Sequence, residues 1–129
     1  MVVPLAQEQP LSVAATVFVG GGAGAVARWL VSQAMVSPWG TVAVNLVGCF
    51  LLAVLAHPRM GVSEPWRIAL GTGALGGFTT YSTFNLDVVA ALRDGKPERA
   101  ALIAAVTFGG CLLAGLAGWS LADRLRPPA

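Results

Sequence analysis

Five consecutive hydroxyl side chains, TTYST at positions 79–83, lie between two phenylalanines in the stretch GALGGFTTYSTF (73–84). Hydroxyl groups can donate hydrogen bonds to an anion. No charged residue occurs from 68 to 86, so these groups would act in apolar surroundings. The stretch therefore suits the binding of a small anion. Because the chain shows no nucleophile–base pair and no cluster of metal ligands, we do not expect an enzyme.

The elements that must hold this stretch are membrane spans. The chain of 129 residues is 56% hydrophobic and 11% charged, whereas soluble domains carry about 25% charged residues. Four uncharged runs are long enough for the roughly 20 residues that a membrane helix needs. We predict an all-α membrane protein with one domain (1–129) and four transmembrane helices, and the first span is expected to be retained because no basic residue precedes it. The predicted spans are about 11–33, 39–56, 66–92 and 100–122.

The third span contains a predicted break. Gly76 and Gly77 precede the β-branched Thr79 and Thr80, about a third to halfway along the span. Backbone at membrane depth can leave the helix only where protein or a polar cavity satisfies the freed groups. A broken helix exposes carbonyl oxygens at one stump and N–H groups at the other. Freed carbonyls would suit a cation, and the hydroxyls and amides an anion.

The positive charges are nearly balanced between the two membrane faces. Lys/Arg bias normally fixes the orientation of a membrane protein, and its near absence predicts insertion in both orientations and an antiparallel dimer in the membrane lipid. No basic cluster interleaves with aromatic residues, so no nucleic-acid partner is expected. One face carries Arg59, Arg67, Arg124 and Arg126, and the other Arg93, Lys96 and Arg99, with Arg28 as a possible fourth charge.

Three motifs resemble one known family. GGAGAVARW (21–29), WGTVAVNLVGCFLL (39–52) and GTGALGGFTTYSTFNLDVVAALR (71–93) are similar to the Fluc (CrcB) family of bacterial fluoride ion channels. The resemblance covers all four spans in order. It implies a passive channel in the bacterial inner membrane that exports cytoplasmic fluoride and protects the cell. It also implies two antiparallel subunits that enclose two fluoride pathways and one buried structural sodium ion.

The resemblance assigns the sodium ion to backbone carbonyls. Gly76 and Thr79 match the positions whose carbonyl oxygens hold it, and a hard cation prefers oxygen ligands. The alternative is a helix kink without an ion. Asn45 matches the pore asparagine, whose amide can donate to fluoride, although an interhelical hydrogen bond is the alternative role. Thr41 lies on the same helical face and would either extend a polar track or cap the second span.

The aromatic positions of the family also have counterparts. Tyr81 and Phe84 match the paired rings whose edges contact fluoride, but the first position is usually Phe. The tyrosine hydroxyl would either donate to the ion or crowd its path. Ser82 and Thr83 are further hydroxyl donors, with Ser82 favoured for the pore side.

The fourth span and the end of the first complete the expected site. The family's polar track along the fourth span corresponds to Ile103, Thr107 and Cys111, of which only Thr107 keeps a hydroxyl. Arg28 would lie at an aqueous vestibule and concentrate anions, or would simply extend to the interface. Asp87 is expected to face a neighbouring backbone or the end of its span.

Two other classes of protein remain in view. A dual-topology, four-span exporter of small toxic lipophilic cations would match the size and charge balance, but it needs a buried carboxylate in the first span, and 11–33 has none. A structural assembly subunit would tolerate Ala and Leu throughout the 76–83 break.

Overall fold

The computed structural model describes residues 10–125, and this part of the chain is almost wholly helical. Residues 1–9, before the first predicted span, and residues 126–129 lie outside the described part of the chain. The second of these segments includes Arg126, one of the basic residues counted above. The elements are α1 (Pro10–Ala34), α2 (Trp39–Ala56), a 3₁₀ turn (Pro58–Met60), α3 (Glu64–Arg67), a π-helix (Ile68–Leu75), α4 (Gly76–Phe78), α5 (Tyr81–Arg93) and α6 (Pro97–Leu125). The predicted all-α class is confirmed.

Three of the described helices are long and apolar enough to cross a membrane: Leu11–Ala34, Trp39–Ala56 and Pro97–Leu125. They coincide with the predicted first, second and fourth spans. The predicted third span is not one continuous helix. It consists of a first half from α3 to α4 and a second half, α5, with an extended segment at Thr79 and Thr80 between them. The bend that the sequence predicts in this span is therefore present.

Glycines bring the first half of the third span against α1. A Cβ on Gly24 would overlap the carbonyl of Ala74, and one on Gly77 would overlap the carbonyl of Gly21. In lipid, where the hydrophobic effect does not drive helix association, such close backbone approach supplies packing energy. The small residues that the sequence places in these two spans thus fix the position of the break relative to α1.

The sequence analysis did not predict the π-helix that lies just before the break. The π-helix ends at Leu75 and α4 begins at Gly76, whose N–H donates to the carbonyls of Gly71 and Gly73. A π-helix is rare and wider than an α-helix, and short π segments occur often at functional sites. Here it leads directly into the residues that were singled out for ion binding.

Helices α2 and α6 run in the same direction and pack closely. Gly110 lies under the Leu46 side chain, and Gly118 lies against the Phe50 backbone. Val44 of α2 is fully buried. Because both helices cross the molecule beside the break, they form the wall that faces it.

Polar contacts close the two ends of the bundle. At one end Arg59 of the 3₁₀ turn donates to Asp123 of α6 at 2.6 Å, and buried His57 lies 3.3 Å from the same carboxylate. At the other end Ser37 of the α1–α2 turn donates to Asp87 of α5 at 3.3 Å. Asp87 thus faces a turn at the end of its span and not the break.

Candidate functional site

The break in the third span lies at Thr79 and Thr80. Both residues are extended, with φ/ψ of −84°/156° and −152°/117°, while Gly76 and Gly77 remain helical. Gly77 therefore allows close approach to α1, and neither glycine itself forms the break. The two threonines that follow, whose branched side chains favour extended backbone, leave the helix.

Asn45 of α2 satisfies the backbone at the centre of the break. Its Nδ2 donates to the Thr80 carbonyl at 2.9 Å, and its Oδ1 accepts from the Thr80 N–H at 2.8 Å. Both residues are 8% exposed. The interhelical hydrogen bond that was the alternative role of Asn45 is thus present. An amide NH₂ has two hydrogens, and only one is used by Thr80.

The same hydrogen bonds free two carbonyl oxygens. In a continuous helix Gly76 O would accept from the N–H of Thr80, but that N–H donates to Asn45. Thr79 O would accept from the N–H of Thr83, but that N–H donates to the Thr80 hydroxyl at 3.2 Å. Both predicted cation ligands therefore lose their helical donors.

Arg28 reaches the break from α1. Its Nη1 donates to Thr79 O at 3.0 Å in a partly buried position. The side chain thus points toward the centre of the third span, and the sequence-based expectation of a vestibule position did not include this contact. A carbonyl has two lone pairs, so this bond leaves one of them on Thr79 O.

The hydroxyls after the break form a network of their own. Thr80 Oγ1 caps the first turn of α5, donates to Thr83 Oγ1 at 3.1 Å and lies 3.2 Å from Ser82 Oγ. Ser82 and Thr83 are exposed on the single chain. Their hydroxyls are therefore held in fixed positions by the cap at the start of α5.

A cavity of about 330 Å³ lies between the break, α2 and α6. Phe84 is 4% exposed and forms one wall, while Tyr81 is 69% exposed at the surface beside it. Their ring centroids are 5.5 Å apart. Phe84 also meets Phe108 edge to face, at 5.5 Å and 83°. Three aromatic rings, and not two, therefore line the cavity.

Thr107 contributes an unpaired hydroxyl to this cavity. It is 6% exposed, and its Oγ1 has no hydrogen-bond partner among the described residues. Ile103, one turn earlier, packs with Phe84 in the small core between α5 and α6. Beside the cavity, the polar track along α6 therefore has only one hydroxyl among the described residues, that of Thr107.

The cavity brings together most, but not all, of the sequence-predicted site. Thr41 is buried one turn before Asn45 but lies outside the cavity wall, as do Ser82, Thr83 and Arg28. The predicted residues that line the cavity are Asn45, Gly76, Thr79, Tyr81, Phe84 and Thr107.

Sequence reasoning missed several members of the wall. Phe108 follows Thr107 directly, but nothing in the sequence around it indicates that its ring would contact Phe84. Thr80 belongs to the hydroxyl block, yet its pairing with Asn45 spans 35 residues. Cys49 lies one turn beyond Asn45, a spacing that could have identified it, whereas Cys111 lines the cavity at the last position of the expected polar track.

Comparison with known proteins gives a consistent result. The family model described as "CrcB-like protein, Camphor Resistance (CrcB)" matches residues 15–119. A protein of Erythrobacter litoralis named "Fluoride-specific ion channel FluC" is 41% identical over 123 residues, covering 78% of this chain and 90% of that protein. Proteins with the same name from Variovorax paradoxus (43% identical; 72% and 80% covered) and Novosphingobium aromaticivorans (41% identical; 84% and 90% covered) match similarly.

Proposed function

The chain belongs to the CrcB family, and on that premise we propose that it is a fluoride-selective ion channel. It conducts passively, lets cytoplasmic fluoride leave the cell and so protects the cell from its toxicity. It is a multi-pass protein of the bacterial inner membrane. One observation on this chain supports the proposal independently of its relatives: Asn45 keeps one free amide N–H where it lines a cavity together with aromatic side chains.

The proposed pathway follows from the cost of dehydrating an anion. An anion that leaves water must find donors that replace its hydration shell. The free N–H of Asn45 on α2 and the hydroxyl of Thr107 on α6 supply such donors to the cavity. The ring edges of Phe84 and Tyr81 add a weaker positive surface between them. The Ser82–Thr83 hydroxyls, outside the wall in one chain, are proposed to act where the path meets water, and Thr41 where it continues along α2. Arg28 is proposed to act at the break itself, where it donates to Thr79 O.

We propose four spans and an antiparallel dimer. The two halves of the third span, α3 to α4 and α5, together cover 64–93, which is long enough to cross the membrane even though it is bent. Tyr81 and Phe108 are 69% and 62% exposed beside the cavity, so a second copy of the chain would enclose it. The near balance of Lys and Arg supports insertion of the two copies in opposite orientations.

A structural sodium ion fits the freed carbonyls. Gly76 O lacks its helical donor and Thr79 O retains a free lone pair, so both would hold a hard cation through oxygen. The ion would neutralise the partial negative charge of this stump in the middle of the dimer. We expect the dimer to unfold at a lower temperature when sodium is replaced by a large organic cation, and an unchanged unfolding temperature would remove the ion from the proposal.

Ion efflux from liposomes tests the function. Purified protein is reconstituted in vesicles loaded with either fluoride or chloride, and release is followed with ion-selective electrodes. We expect fluoride release and no chloride release above that of empty vesicles. Equal rates for the two anions would contradict selectivity. Export of a lipophilic cation without fluoride release would favour the exporter, and no transport of either would favour an assembly subunit.

A further inference from the structure

Two thiols lie on the wall of the same cavity, and the proposed path for fluoride does not use them. Cys49 of α2 and Cys111 of α6 both line the cavity and are half-buried. Leu46, three residues before Cys49, packs on Gly110, the residue directly before Cys111. The two thiols come from different helices, so their proximity is set by the packing of α2 against α6.

The position of the pair along the cavity follows from helix geometry. Cys49 lies one turn beyond Asn45, and Cys111 lies one turn beyond Thr107. Residues four apart share a helical face and differ by about 6 Å along the axis. Because α2 and α6 run in the same direction, the thiol pair lies about one turn from the level of the proposed anion donors.

The pair suits one chemical class of ligand. Thiolates are soft ligands and select soft metal ions. Zinc in structural sites takes four ligands, whereas no group of three or more His, Cys, Asp or Glu side chains that could hold a metal occurs among residues 10–125. Two thiols on the wall of one cavity, with apolar neighbours, therefore favour an ion that is satisfied by two sulfur ligands.

We propose that Cys49 and Cys111 form a two-thiolate site for a soft, two-coordinate metal ion such as mercury(II), and that the bound ion obstructs the cavity. When the ion is supplied as mercury(II) chloride, two S–Hg bonds form, two S–H and two Hg–Cl bonds break, and two protons and two chloride ions pass to water. The product carries no net charge, since two thiolates balance a divalent ion. A neutral complex avoids the cost of burying a charge in this apolar cavity.

Metal retention by the purified dimer is the first test. Mercury(II) chloride is added, a competing monothiol such as glutathione strips metal held by single sulfurs, and bound mercury is measured after dialysis. We expect wild type to retain one ion per chain and Cys49→Ser or Cys111→Ser to retain at least tenfold less. Cys→Ala variants repeat the measurement if a serine variant does not elute as a dimer. Equal retention by a single variant, or none by wild type, would overturn the site.

The second test concerns obstruction and rests on the proposed function. Fluoride efflux is measured with and without mercury, and each variant is compared only with its own metal-free rate. We expect at least a tenfold fall in wild type and no metal effect in the double variant. Retained mercury with unchanged fluoride efflux would uphold the metal site, overturn obstruction and count against this cavity as the path. Absence of fluoride efflux without metal would instead fail the proposed function and leave the retention result standing.

Discussion

Replacement of Asn45 by Asp separates two roles of one side chain. Asn45 donates to Thr80 O at 2.9 Å, accepts from Thr80 N at 2.8 Å and keeps one N–H free. Ionised Asp keeps the acceptor and loses both donors. Its second oxygen would face Thr80 O, which costs about 1–3 kcal/mol for the unsatisfied carbonyl alone. The fluoride path loses the free N–H as well.

The expected magnitudes differ for transport and for folding. Loss of a preorganised donor in a water-excluded site costs about 10²–10³-fold in rate, so Asn45→Asp should lower fluoride efflux at pH 7 by at least ~100-fold. On acidification, once the carboxyl is protonated, its O–H can donate to Thr80 O again. Resistance to thermal unfolding should then recover toward wild type, because the pair of bonds to Thr80 is restored.

Two further variants make the test decisive. Asn45→Ala leaves both the N–H and the carbonyl of Thr80 without partners, which costs about 2–6 kcal/mol of stability by the same measure. The thermal stability of this variant should not recover on acidification. Gln33→Glu makes the same amide-to-carboxylate change at the exposed end of α1, away from the break, and should alter stability by less than about 1 kcal/mol. Wild-type efflux by Asn45→Asp at pH 7 would refute the role of the free N–H. Identical, pH-independent destabilisation by Asn45→Asp and Asn45→Ala would refute the assigned hydrogen bonds.

Three other predictions follow from the geometry of the site and the charge pattern. Tyr81→Phe keeps the ring edge and should hold efflux within about tenfold, or roughly 1.4 kcal/mol of barrier, whereas Phe84→Ile loses two ring contacts and should cost more; the reverse order would assign the ion to the tyrosine hydroxyl. Gly24→Ala forces a methyl group onto the Ala74 carbonyl and should destabilise the protein by about 1–3 kcal/mol, while Gly22→Ala, with open space around it, should not; thermal unfolding compares them. C-terminal reporter fusions should show both orientations, and a single orientation in active wild type would contradict dual insertion. Lysines added to one loop should fix one orientation and so abolish transport, until a copy with the opposite charge bias is co-expressed.

The amino-acid sequence is sufficient to predict the three long apolar helices and the place where the helix between the second and the last of them is broken. Uncharged runs of membrane length predict helices because lipid offers no partner for backbone groups. The glycines and threonines at 76–80 predict a break for the same local reason, and the structure has it at Thr79 and Thr80. These are properties of short segments, and neighbouring residues suffice to specify them.

Only the tertiary structure decided how the break is satisfied. The partners of Thr80 and Thr79 are Asn45 and Arg28, which lie 35 and 51 residues away in the chain. Their contacts depend on how closely α1 and α2 approach the third span, and glycine packing sets that distance. The meeting of Phe84 with Phe108 likewise depends on the rotation of α6 about its axis. Local sequence does not encode such distances and rotations, because they result from the packing of all the helices at once.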